Sequence, residues 1–427
     1  MMKTVATTEC PSLGERVTTA VHQSGLQVMV CEKKEFTGAY AMFGTRYGSV
    51  DNAFRLAGEE EFTRVPDGIA HFLEHKLFES EEGDAFQRYA QTGASANAYT
   101  SFDRTCYLFS CSGNFEDSFR ILLDFVQSPY FTPETVQKEQ GIIGQEISMY
   151  DDSPDWRLLT LLFEAMYENN PIRVNIAGTA ESISHITADL LYRCYRTFYN
   201  LNNMFIVVAG NVSVDRVLAV CDELLRDTQA VEFERGPYEE PDGVVRSYTE
   251  QAMAVSRPQF ALGYKEACVS PQLSVRDKIV TDLIVDIIAG QHSALYERLL
   301  REGLINQQFS AGLFDGYNFR LELFSGESDQ PERVAQEIQK EIARYQQEGF
   351  SPEEFARAKR LHYGRYLMGF NSVESIADSL CECCCTGSQP FEALDVYRAL
   401  TLADLDAAVR ELFAPSHACL SVVRPLG

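Results

Sequence analysis

The chain has 427 residues, 45% hydrophobic and 23% charged, with a formal net charge of −25. That length exceeds one comfortable core and favours two domains, while the acidic balance argues against nucleic acid and anionic membrane surfaces as partners. No run of about eighteen apolar residues suggests a transmembrane helix, residues 1–16 lack the apolar core of a secretory signal, and the 12 cysteines then read as reduced thiols of a cytoplasmic protein.

Residues 17–31 predict two strands around a Ser24-Gly25 turn, and 39–47 alternates as a third. An acidic loop, 51–67, then delivers the chain to the helix opening at Gly68. There Ile69, Phe72, Leu73 and Leu77 recur at three- and four-residue intervals. A helix turns about 100° per residue, so His71, Glu74 and His75 share one arc of its surface. Two imidazoles one turn apart can grip a Zn²⁺, with a carboxylate beside them to take a proton from water. His-x-x-Glu-His is the inverted zincin (inverzincin) pattern. The plain alternative is a half-exposed helix with structural histidines, and a third ligand is needed to decide.

A short helix is expected over 84–92. The small-residue stretch from Gly93 leads into an alternating strand at 105–111. A strand of small residues at a sheet edge can accept an extended peptide by backbone pairing, and an ordinary hairpin fits the pattern equally. Thr132-Pro133-Glu134 is a helix start, with Thr as N-cap and Pro at the first position. Val136, Ile143, Ile147 and Tyr150 mark its apolar stripe. Glu139 and Glu146, two turns apart, point the same way, as a solvated face or as carboxylates for the two-histidine site.

A strongly apolar strand follows at 203–212, then an amphipathic helix at 214–225. Residues 231–247, polar and broken by two prolines, read as a linker between a domain at 1–230 and one at 248–427. The second half repeats the first: Ser351-Pro352-Glu353 stands 219 positions after Thr132-Pro133-Glu134, and Asn371-Ser372 after Asp152-Ser153. The same shift carries the histidine motif onto Gly290-Gln-His292-Ser-Ala, with no Glu-His. The second domain thus copies the fold without the metal site. The run Cys381 to Cys385 matches no zinc ribbon and reads as small apolar packing, with one or two thiols exposed. His22, His185, His292, His362 and His417 are scattered and read as structural or solvent-facing, and Trp156 as a packing residue.

Residues 67–79, 93–109, 139–154, 177–187 and 203–210 resemble the pitrilysin/insulinase family of zinc metallopeptidases, above all its short bacterial members. The resemblance implies an α+β fold of two homologous domains, each an antiparallel sheet packed with helices. It implies one Zn²⁺ per chain held by His71, His75 and Glu146, Glu74 as general base, Glu139 supporting a ligand from behind, and Asn97 and Ala98 on the segment that pairs with the substrate backbone. It implies a zinc-dependent metalloendopeptidase acting on peptides or unfolded segments; the alternatives are a dedicated processing peptidase and a non-catalytic binding subunit. Family members carry an Arg and, seven residues later, a Tyr in the second domain. Here Leu299 and Asn306 fall at those positions, with Arg298 and Arg301 as neighbours. The missing pair points to a second chain that supplies it, in a homodimer or in a heterodimer with an inactive paralogue.

Overall fold

The computed structural model describes residues 1–81, 83–226, 228–266 and 272–426. Seven strands form the first sheet: β1 (Met2–Cys10), β2 (Glu15–His22), β3 (Gln27–Glu32), β4 (Ala39–Thr45), β5 (Ser95–Thr100), β6 (Thr105–Cys111) and β7 (Met204–Gly210). Their order is β1-β2-β3-β7-β4-β6-β5. Buried residues alternate to both faces of the central strands, which is why Met204–Gly210 reads as one continuous apolar run. The second sheet holds β8 (Tyr248–Met253), β9 (Gln259–Lys265), β10 (Ser310–Gly316), β11 (Phe319–Glu327) and β12 (Ala418–Pro425) in the order β8-β12-β9-β11-β10.

The duplication is written in this topology. Omitting β1 and β2, the order β3-β7-β4-β6-β5 maps strand for strand onto β8-β12-β9-β11-β10, with starting positions offset by 214 to 221 residues. Pairing sense repeats too. In each five-strand copy the first pair is parallel (β3 with β7, β8 with β12) and the other three are antiparallel. The sheets are thus dominated by antiparallel pairing, as expected, and each copy has one parallel pair because its last strand returns beside its first by a long helical connection.

The chain gathers into two compact units, and neither is one run of sequence. The first comprises Met1–Ile147, Asn175–Pro237 and Leu367–Phe391; the second comprises Ser148–Val174, Tyr238–Tyr366 and Glu392–Gly427. The division at 1–230 and 248–427 expected from the linker thus differs from the observed one, because each unit takes one helix from the other half of the chain. Helix Val373–Thr386 covers the first sheet, where Ile376, Ala377, Leu380, Cys381, Cys383 and Cys384 join Met29, Cys31, Met42, Phe205 and Val207 in one buried cluster. Helix Pro154–Met166 packs on β8, β9 and β12 of the second sheet. Gly263 permits that approach, since a Cβ there would stand 3.0 Å from Met166 Sδ and 3.1 Å from Leu162 Cδ2.

Two further segments depart from the sequence reading. The polar N-terminus forms β1, an edge strand held by backbone pairing to β2. The 51–67 loop and the linker meet in a small sheet, Phe233–Arg235 pairing with Ala53–Leu56 and that with Thr63–Arg64. Among the described residues no helix is long and apolar enough to cross a membrane.

Candidate metal centre

Two helices build the site. Helix α1 spans Ile69–Leu77, with Ile69, Phe72, Leu73 and Leu77 buried as their spacing predicts. Its start is fixed by a close approach of backbones. Gly68 (φ 89°) and Gly178 (φ 75°) lie so near that a Cβ on Gly68 would stand 2.4 Å from Ala177 O, and one on Gly178 2.4 Å from Asp67 O. Ser182 Oγ also donates to Asp67 O at 2.8 Å. Helix α2 spans Pro133–Asp151, and the Thr132 hydroxyl accepts the Thr135 N–H at 3.2 Å. Val136, Ile143 and Ile147 are buried, and Gln140 Nε2 donates to the carbonyls of Ile183 and Ile186, each at 3.2 Å. Glu139 and Glu146 consequently face α1.

One nitrogen of His71, one of His75 and a carboxylate oxygen of Glu146 all lie within 4.8 Å of one another. His71 Nε2 is 3.5 Å from Glu146 Oε1, and His75 Nε2 is 3.4 Å from Glu146 Oε2. Those separations are long for hydrogen bonds, and they suit an ion: tetrahedral bonds of about 2.0–2.1 Å put ligand atoms about 3.3–3.4 Å apart. On the far side of His75, Nδ1 stands 3.0 Å from Glu139 Oε1. A carboxylate only accepts, so Nδ1 carries the proton and Nε2 turns its lone pair toward Glu146. The equivalent Nδ1 of His71 is buried with no hydrogen-bond partner among the described residues. Burial opposes a charge on His75, but the Glu139 bond and the negative charges of Glu74, Glu146 and Glu139 outweigh it and raise its pKa. The donor set, two imidazoles and a carboxylate in an acidic surround, fits a divalent cation such as zinc.

Glu74 lies on α1 beside this cluster, 8% exposed, and its Oε2 accepts from the Thr100 hydroxyl at 2.6 Å. Asn97 and Ala98 lie on β5, which pairs with β6 on one side and is the outer strand of its sheet. The Ala98 N–H is taken by the Asn97 side-chain oxygen at 2.9 Å. Sequence reasoning gave Thr100 no part in the site. Its position two residues past Ala98 on the same strand is the signal that could have found it.

The second unit carries the departures. Leu299 is fully buried, and Asn306 Nδ2 donates to Glu327 Oε2 at 2.8 Å. Arg298 pairs with Glu337 at 3.2 Å and Arg301 with Glu297 at 2.6 Å. Of the remaining histidines, His22 Nδ1 bonds Ser24 Oγ at 2.8 Å, His362 stands 3.7 Å from Asp286, and His292 is exposed. Trp156 packs against Tyr150, with ring centroids 5.5 Å apart.

The insulinase family (peptidase family M16) matches residues 61–180, which hold the histidine pair and both acids, and the peptidase M16 inactive domain matches residues 185–361. The chain is 40% identical over 408 residues to the uncharacterised zinc protease YmfH of Bacillus subtilis strain 168, covering 94% of this chain and 95% of that one. Among solved structures it is similar to the M16-like peptidase of Alicyclobacillus acidocaldarius, with a TM-score of 0.93 and 37% identity, covering 98% of this chain and 100% of that one. A Helicobacter pylori protease, 19% identical with a TM-score of 0.82 over 96% of this chain and 100% of its own, shares the fold.

Proposed function

The chain belongs to the insulinase family, peptidase family M16, and from that premise we propose that it is a zinc-dependent metalloendopeptidase. It hydrolyses peptide bonds in peptides or unfolded segments. The observation that carries this reading is the convergence of His71, His75 and Glu146 within 4.8 Å, with Glu74 buried beside them.

In this reading His71, His75 and Glu146 hold one zinc ion, and Glu139 fixes the tautomer of His75. Zinc bound there supplies Lewis acidity toward water and the scissile carbonyl. Glu74 takes the proton of the attacking water and returns it to the leaving amine. The outer edge of β5 offers its backbone to an extended substrate, so selection rests on extension and size more than on a strict sequence. Asn97 releases the Ala98 N–H as the substrate strand arrives. Leu299 and Asn306 offer no cation and no phenol, so a second chain, a copy of this one or a paralogue without the metal ligands, completes the substrate cradle. The cell compartment in this reading is the cytoplasm.

The domain matched as inactive is the copy that lacks the motif, and the copy that holds the ligand set has all of it. That distribution favours catalysis over a purely binding role. The test is cleavage of a mixed pool of unstructured peptides by the zinc-loaded chain, with Glu74→Gln alongside. Cleavage lost in the variant supports the reading. Cleavage surviving it, or a wild-type chain that binds no zinc, overturns it. Many products separate a general endopeptidase from a processing peptidase for one peptide.

A further inference from the structure

We propose that Thr100 is the positioning residue for Glu74, fixing the carboxylate relative to the strand on which the substrate lies; this inference rests on the zinc-peptidase reading of the site. The Thr100 hydroxyl is 2.6 Å from Glu74 Oε2, the short distance of a charge-assisted bond, and it is the donor because a carboxylate has no proton to give. Among the described residues no other group hydrogen-bonds that carboxylate.

The hydroxyl is itself held. Thr105, fully buried, is the direct cross-strand partner of Thr100 in the β5–β6 ladder. Its own hydroxyl donates to Tyr47 O at 2.9 Å and stands 3.3 Å from Thr100 Oγ1. Thr100 therefore packs against a fixed neighbour while its proton points to Glu74. With Oε2 engaged, the carboxyl plane cannot swing freely, and Oε1 keeps one orientation for the proton it handles.

Thr100 ends the strand that carries Asn97 and Ala98. A peptide laid along β5 and the base that acts on it are thus registered by one piece of backbone.

The experiment compares Thr100→Val, which keeps the shape and removes the hydroxyl, with Thr100→Ser, which keeps the hydroxyl. Crystal structures of the zinc-free variants should show Glu74 in place in Thr100→Ser and displaced in Thr100→Val. On a quenched-fluorescence peptide cleaved by wild type, Thr100→Val should lose about 10–100-fold in kcat, as small misplacements of a catalytic group do. Its KM and its zinc content per chain should stay unchanged, and Thr100→Ser should restore kcat. An unmoved Glu74 in Thr100→Val, an undiminished kcat, or a serine variant as slow as the valine one overturns the proposal. A wild-type chain that binds no zinc defeats the peptidase reading instead, and one that binds zinc but cleaves nothing lacks its second chain; in either case the zinc-free structures still decide where Glu74 sits.

Discussion

Oε1 of Glu139 lies 3.0 Å from Nδ1 of His75, on the side of the ring away from Glu146. An acceptor there fixes the imidazole's orientation and makes its other nitrogen a better electron donor. Glu139→Ala should weaken zinc binding about 10–100-fold. Glu139→Gln, whose amide oxygen still accepts the Nδ1 proton, should weaken it less. Competition against a chelator of known affinity, run on all three proteins, checks the order; equal affinities would remove Glu139 from the site.

Loss of a ligand and loss of the base should separate cleanly. His71→Ala, His75→Ala and Glu146→Ala should each lose stoichiometric zinc and, with it, the rise in Tm that binding to the folded state produces. Glu74→Gln should keep both zinc and the Tm rise, while peptide turnover falls by about 10²–10⁴. Metal analysis and thermal melts with and without zinc read the first pair of outcomes, and peptide hydrolysis the third.

Ala98 tests the edge strand. Proline there removes the N–H that Asn97 now covers, and an edge strand tolerates proline where the lost donor faces outward. Ala98→Pro should lower kcat/KM about tenfold or more, roughly the worth of one hydrogen bond to an ordered partner, with zinc content unchanged. Unaltered peptide hydrolysis would mean that substrates do not pair with β5.

In the second unit, burial pushes the Asp282 carboxyl up from 3.8 to about 6; nearby Asp315 adds to this, and His362, Lys278 and the Leu313 N–H oppose it. The folded-state pKa stands above the unfolded one, so protonation favours the folded chain. The penalty for ionising Asp282 is absent below pH 3.8 and grows until the pH passes about 6. Asp282→Asn should therefore stabilise the protein by on the order of 2–3 kcal/mol at pH 7.5. The gain should shrink steadily as the pH is lowered from 6 toward 4. Denaturant melts of both proteins across that range check the sign.

The motif helix was legible because its information is local: four apolar residues at helical spacing bury, and that leaves His71, Glu74 and His75 to one side. Helical period also put Glu139 and Glu146 on one face of α2. Their meeting with the histidines joins residues 64 positions apart, which no local pattern encodes, and resemblance to a family had to supply it. The cysteines at 381–385 read as packing from composition, and most of them pack. Which sheet they cover was hidden, since Cys381 meets Cys106 across 275 positions. Thr100 was missed for a different reason: a threonine ending a strand is what β-propensity alone would place there.

The helix that each unit takes from the other half of the chain has a bearing on how the protein is made. Until residue 391 has left the ribosome, the face of the first sheet that carries Met29, Met42, Phe205 and Val207 has no helix to cover it. The half that holds His71, His75 and Glu146 is synthesised first, and it finishes folding only after most of the second half has been made. From the completion of β7 at Gly210 until that point the chain carries an uncovered apolar face, and a premature stop between them would leave that face open to aggregation.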